Sequence, residues 1–196
     1  MKVFSQISIL IALVFFSMLG SAKVALPSES IFNLNSKWTN QDGTTLSLAD
    51  LRGKKIVLVM AYTSCEHACP LLIEDMKKIE SKIEKPDDWL FAFFSFDSER
   101  DTPAKLKSYA EKRKLKLGRW ELFNGDKKAV SELAAALGVR YEKDEDGDFD
   151  HSNIISLVDP DGVVRFQQTG LNQDPGEFLT KAKALMTHRL GDASNL

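Results

Sequence analysis

An α/β sandwich with a mixed central sheet is the fold class that the sequence predicts. Three observations predict it. Two runs of strand length, Ile56–Ala61 and Trp89–Phe96, are apolar almost throughout rather than alternating, as central strands covered on both faces are. Each is followed by a segment with helical spacing or a helix-start signal. Towards the C-terminus, runs 154–158 and 163–168 flank Asp159-Pro160-Asp161-Gly162, a strong turn signal that closes a hairpin.

The elements follow in order. Residues 31–53 carry alternating apolar positions around the turn Gln41-Asp42-Gly43, which predicts a small strand pair ending in a turn at Leu51-Arg52-Gly53. Ile56–Ala61 is a buried strand. Pro70 suits the first turn of a helix, where its missing N–H is not needed. Leu72, Met76, Ile79 and Ile83 then share one helical face. After Trp89–Phe96, Asp101-Thr102-Pro103 starts a helix running to about Lys114. Trp120–Phe123 is a short apolar segment. Asp126 starts a third helix ending at Gly138, and Val139–Glu142 is a brief strand. The hairpin follows, and Asp174-Pro175 caps a last helix to about Arg189. This succession is a thioredoxin-like layout, with a mixed sheet flanked by helices.

The first 22 residues stand apart from it. Met1 and Lys2 precede an apolar stretch from Ile7 to Leu19, then Gly20-Ser21-Ala22, the pattern of a secretory signal. The stretch is shorter than the ~20 residues that span a bilayer. An uncleaved anchor is the alternative, and both place the remainder outside the cytoplasm, in the periplasm or on the outer face of the inner membrane. Residues 23–196 suit one domain. The formal charge of the 196-residue chain is −2, and loss of Lys2 makes it one unit more negative, so there is no basic footprint for nucleic acid.

The chain has two cysteines, Cys65 and Cys69, in Thr63-Ser64-Cys65-Glu66-His67-Ala68-Cys69-Pro70. Disulfides persist in exported proteins, but a bridge closing so short a loop constrains the unfolded chain little. Two thiols between a buried strand and a helix start are placed for chemistry. Cys69, at that start, is expected to be acidified by the unpaired N–H groups and the macrodipole. Spacing alone leaves a redox disulfide and a soft-metal clamp both open. Soft sulfur ligands select Cu(I), imidazole also suits Cu(II), and zinc prefers a fourth ligand.

Three histidines are available. His67 lies between the cysteines. His188 falls near the end of the last helix, where a cation is favourable. His151, in Asp150-His151-Ser152, reads by itself as a loop histidine before strand 154–158. Within Glu142–Asp150, taking Gly147 as the sixth position of a calcium loop puts Glu142 first and Asn153 last. A calcium loop wants Asp and Glu there, so a solvated loop is expected.

Several segments together resemble the Sco/SenC family: Thr63-Ser64-Cys65 with Cys69-Pro70, Asp97-Ser98-Glu99-Arg100-Asp101-Thr102-Pro103, Asp150-His151-Ser152, Leu157-Val158-Asp159-Pro160-Asp161-Gly162, and Leu46 to Gly53. The resemblance runs in order from about residue 31 to 185. It implies a thioredoxin-like fold and a copper ion, Cu(I) or Cu(II), held by Cys65, Cys69 and His151. It also implies a metallochaperone role in assembling the copper centre of respiratory cytochrome oxidase. The partners would be the copper-receiving oxidase subunit and a thiol reductant or another copper carrier. Where the family often has Pro-Asp after its first cysteine, this chain has Glu66-His67, and His67 is expected to face solvent. Asp150 is a candidate to orient His151. The alternative is a thiol–disulfide oxidoreductase of the cell envelope, with Cys65 and Cys69 as its redox-active pair and Cys65 the more exposed attacker. Peroxide scavenging would require Arg100 beside Cys65.

Overall fold

The computed structural model describes residues 25–65, 68–145 and 147–187. The leader-like segment 1–22, Glu66, His67 and His188 lie outside them.

Nine strands and four helices are described: β1 (Lys37–Asn40), β2 (Thr45–Ser47), β3 (Lys55–Ala61), α1 (Ala68–Lys82), β4 (Trp89–Ser95), α2 (Pro103–Lys112), β5 (Trp120–Gly125), α3 (Lys127–Leu137), β6 (Tyr141–Lys143), β7 (Phe149–His151), β8 (Ile154–Val158), β9 (Val164–Thr169) and α4 (Gly176–Thr187). Seven strands form one mixed sheet in the order β2-β1-β5-β4-β3-β8-β9. The pairs β3–β4 and β4–β5 are parallel, whereas β3–β8, β8–β9, β1–β2 and β1–β5 are antiparallel.

The apolar runs explain the sheet's centre. Every residue of β4 is buried, as is every residue of β3 after Lys55. Their register pairs Ala61 with Ser95, so both strands release the chain at the same edge. α1 covers this centre with Cys69, Leu72, Ile73, Met76 and Ile79. α2 packs on β5 and β1, and α4 packs on β9 and α1.

The start signals act through capping. Thr102 accepts from the amide of Lys105, Asp126 accepts from the amide of Ala129 at 2.7 Å, and Gly138 ends α3 in the left-handed region at φ 65°. The side chain of Asp174 accepts from the amide of Gly176 at 2.8 Å as α4 begins.

Two segments differ from the sequence reading. Trp120–Gly125 is a full strand between β1 and β4, with Trp120, Leu122, Phe123 and Gly125 buried. The acidic stretch after Tyr141 is not a bare loop. It forms a second sheet, the hairpin β6–β7, with Tyr141 opposite His151 and Lys143 opposite Phe149. His151 is therefore the last residue of a strand. Half-exposed strands of three residues carry too little apolar pattern to announce themselves.

Candidate metal centre

The edge where β3 and β4 end is where open α/β sheets place reactive groups. Tyr62 leaves β3 buried at 3% exposure, and the chain turns through Thr63 and Ser64 to Cys65. That turn is fastened from the opposite segment. Asp101, wholly buried, accepts from the Thr63 amide at 2.9 Å, the Thr63 hydroxyl at 2.5 Å and the Ser95 hydroxyl at 2.6 Å. Asn124 donates to the carbonyl of Asp101, and Lys105 Nζ donates to Ser64 Oγ at 2.7 Å. Thr102 is thus the cap of α2, while Asp101 turns inward to hold the cysteine turn.

Cys65 is half-buried, Cys69 has no exposure, and the two are not joined by a disulfide. The Cys69 amide at the start of α1 donates to Cys65 Sγ at 3.3 Å. The helix N-terminus therefore addresses the sulfur of Cys65, not that of Cys69. The expected acidification of Cys69 is corrected accordingly. The neighbouring Cys65 sulfur, and then burial, push the Cys69 thiol far above its ordinary value, against a smaller opposing hydrogen bond from the backbone of Tyr62. The more exposed thiol is Cys65.

His151 reaches the pair from the end of β7. Its Nε2 lies 3.4 Å from Cys69 Sγ. Its Nδ1 lies 3.2 Å from the carbonyl oxygen of Ser152. A carbonyl only accepts, so Nδ1 carries the proton and Nε2 turns a lone pair to the sulfurs. This backbone carbonyl orients the ring, and Asp150 is exposed. The ring is walled by Phe96 and Tyr62, with centroids 5.0 and 6.2 Å away.

The donor atoms of Cys65, Cys69 and His151 all lie within 4.8 Å of one another. With metal–donor distances of about 2.0–2.3 Å, such a triangle closes on one ion with small side-chain shifts. Two sulfurs and one imidazole suit a soft ion. Among the described residues no other group of His, Cys, Asp or Glu gathers in this way.

The hairpin that carries His151 is held by aromatic and cationic contacts that the sequence reading did not foresee. Phe149 packs edge-on against Tyr62 at 5.1 Å and beside Phe96 at 5.1 Å, and Tyr141 stacks on Phe96 at 5.5 Å. Arg100 pairs with Asp97, donates to the carbonyl of Gly147 at 2.5 Å and lies over the rings of Tyr62 and Phe149. Arg100 thus clamps the hairpin, a different task from activating a peroxidatic thiol. The available signal was the crowding of Phe and Tyr around the two motif segments.

Comparison with known proteins agrees with this geometry. The human mitochondrial SCO1 homolog is 30% identical over 158 residues, which cover 76% of this chain and 50% of the relative, so the chain spans half of that protein's length. The structure of Bradyrhizobium japonicum ScoI with copper bound is 27% identical with a TM-score of 0.62, covering 76% of this chain and 96% of that one. A structure of BsSco is 28% identical with a TM-score of 0.67, covering 78% and 92%. It is described as having a disulfide switch and as a member of the Sco family of cytochrome c oxidase assembly proteins. The SCO1/SenC family model matches residues 28–187, which take in both cysteines, the Asp101 segment and the His151 hairpin. With the thioredoxin-like sheet and the three converging donors already in place, this match establishes that the chain belongs to the SCO1/SenC family.

Proposed function

We propose that the protein is a copper-binding assembly factor, a metallochaperone that holds copper through Cys65, Cys69 and His151 and serves the copper centre of a respiratory cytochrome oxidase. The observation that carries this reading is the meeting of His151 Nε2 with a sulfur 82 residues away in the chain. A redox pair does not require that imidazole; a metal site does. The copper-bound ScoI relative and the family's description as oxidase assembly proteins support the choice of ion and of recipient.

The chain's own groups divide the work. Asp101 and Lys105 fix the cysteine turn, and the Ser152 carbonyl fixes the imidazole. The thiols must be reduced, and Cys69 must release its proton on loading, so uptake is coupled to proton loss. His151 also lines an open groove with Arg140, Glu142 and Asp150, which gives a recipient access to one side of the site. The apolar leader-like segment supports export to the periplasm or the outer face of the inner membrane.

Copper titration tests the reading. Reduced protein should take up about one ion per chain, and His151→Ala should weaken binding by about 100-fold or more, in line with the loss of a ligand. Unchanged affinity in that variant would overturn the three-donor site.

A second reading rests on the same sulfurs. They lie within 4.8 Å, close enough to bond after a modest movement, and the BsSco relative is described with a disulfide switch. The protein would then reduce target cysteines. A Cys69→Ser variant that traps a mixed disulfide with an oxidase subunit would support it, and failure to trap any partner counts against it.

A further inference from the structure

The hairpin that carries His151 departs from a regular ladder at its base. β6 and β7 pair Tyr141 with His151, Glu142 with Asp150 and Lys143 with Phe149. One residue further, the same register sets Arg140 opposite Ser152. In an antiparallel ladder bonded and non-bonded pairs alternate, and a bonded pair exchanges two N–H···O bonds. Ser152 donates its amide to the Arg140 carbonyl at 2.9 Å, which marks a bonded position. The return bond of such a pair runs from the Arg140 amide to the Ser152 carbonyl. Here the Arg140 amide donates to the Ser152 hydroxyl instead, at 3.1 Å. The Ser152 carbonyl is turned to His151 Nδ1, 3.2 Å away.

The hairpin makes the same exchange at its tip. Asp144 donates to the Asp148 carbonyl at 2.8 Å, but the Asp148 amide goes to Asp144 Oδ1, also at 2.8 Å. The Asp144 carbonyl accepts from the Gly147 amide at 3.2 Å and closes the turn. Short oxygen-bearing side chains compete with the backbone in this way. In both places a side-chain oxygen takes a ladder bond and a carbonyl is released to another donor. At the tip that donor is an amide. At the base it is the imidazole that faces the sulfurs.

We propose that Ser152 is a positioning residue for the metal site: its hydroxyl takes the ladder bond of the Arg140 amide and so frees its carbonyl to hold the proton of His151 Nδ1. This rests on reading Cys65, Cys69 and His151 as one site. Alanine at 152 would leave the Arg140 amide no acceptor but the carbonyl, which the ladder would then reclaim. The imidazole would lose its fixed partner. Its proton could then sit on Nε2, where it blocks the lone pair that faces Cys69 Sγ at 3.4 Å.

Three variants test the exchange. Ser152→Ala and Ser152→Val remove the hydroxyl, and Ser152→Thr keeps it in the shape of valine. The first readout is the tautomer ratio of His151 in metal-free, reduced protein at pH 8, from the nitrogen-15 shifts of its two ring nitrogens. The second is copper affinity, with amide exchange in β3 and β4 as the check that the sheet is intact. Wild type should hold the proton on Nδ1. In Ser152→Ala and Ser152→Val the ratio of the Nδ1–H to the Nε2–H form should fall about tenfold, the worth of one neutral hydrogen bond. Copper should bind about tenfold more weakly, in the range seen when groups supporting a ligand are removed. Ser152→Thr should restore both. An unchanged tautomer ratio in Ser152→Ala and Ser152→Val overturns the proposal, even if copper binding weakens, because the loss would then come from a loosened hairpin. A Ser152→Thr variant that behaves like Ser152→Val overturns it as well. If wild type binds no copper, the metal reading itself fails, and the tautomer ratio alone then decides whether Ser152 sets the ring.

Discussion

Thr63 gives Asp101 two hydrogen bonds, from its amide at 2.9 Å and its hydroxyl at 2.5 Å. The turn carrying Cys65 is thereby tied to the segment that follows β4, on a carboxylate with no exposure. Asp101→Asn keeps the shape but exchanges one acceptor for a donor, leaving Thr63 or Ser95 unpaired. We expect a loss of about 1–3 kcal/mol in chemical denaturation, together with weaker copper binding. A variant with the wild-type midpoint would show that the turn holds itself.

The two thiols should react unequally. Cys69 is buried and its thiol is pushed far above its ordinary value, first by the neighbouring Cys65 sulfur, whereas Cys65 is partly exposed and receives the Cys69 amide near the start of α1. In metal-free, reduced protein at pH 8, iodoacetamide should label Cys65 about tenfold faster or more, since the thiolate is the reactive form. Peptide mass spectrometry resolves the two sites. Equal labelling rates would contradict the burial order.

Arg100 is expected to matter to the hairpin more than to the chemistry. Arg100→Lys preserves the charge beside Asp97 but loses the planar fork that also reaches the Gly147 carbonyl. With the side chain 36% exposed, the cost to stability should be only about 1 kcal/mol. Hydrogen exchange should rise in β6 and β7 and stay unchanged in β3. Uniform loss of protection across the sheet would mean that Arg100 supports the whole fold.

Tyr109 predicts a pH effect. Its hydroxyl is buried without a hydrogen-bond partner among the described residues, and burial holds the phenol protonated well past its ordinary value. Unfolding frees it to ionise near about pH 10. Stability linked to Tyr109 is therefore intact below that pH and falls as pH rises above it. Tyr109→Phe should flatten the alkaline decline and, at neutral pH, be stabilising by about 1 kcal/mol through removal of an unpaired hydroxyl. Thermal melts at pH 7 and 10.5 check both signs.

The sequence made the frame legible where one physical cause dominated. The continuous apolar runs of β3 and β4 admitted only a buried strand, and Thr102, Asp126 and Gly138 marked helix ends by local chemistry alone. The meeting of Cys65, Cys69 and His151 was anticipated through family resemblance, because no local rule connects residues 82 positions apart. What stayed hidden depended on tertiary contact. The strands β6 and β7 are stabilised by Phe149 and Tyr141 packing on Phe96, and period alone does not reveal that. Cys69 was expected to be the acidic thiol from its place at the helix start. The direction of a single amide, towards Cys65, reverses that reading. Asp101 looked like part of a helix cap because its neighbour Thr102 is one.

The placement of β8 beside β3 has a temporal consequence. The two cysteines leave the ribosome long before His151, and at about 5–20 residues per second the interval is on the order of ten seconds. Until β8 has joined β3 and β9 has joined β8, the hairpin that brings the imidazole to the sulfurs is held only by its contacts with Tyr62, Phe96 and Arg100, without the sheet behind it. A chain cut short before Ile154 would carry all three donors but lack the two strands that follow the hairpin in the sheet. Firm three-donor capture is thus tied to closure of the β3–β8–β9 part of the sheet, the last part of it to be made.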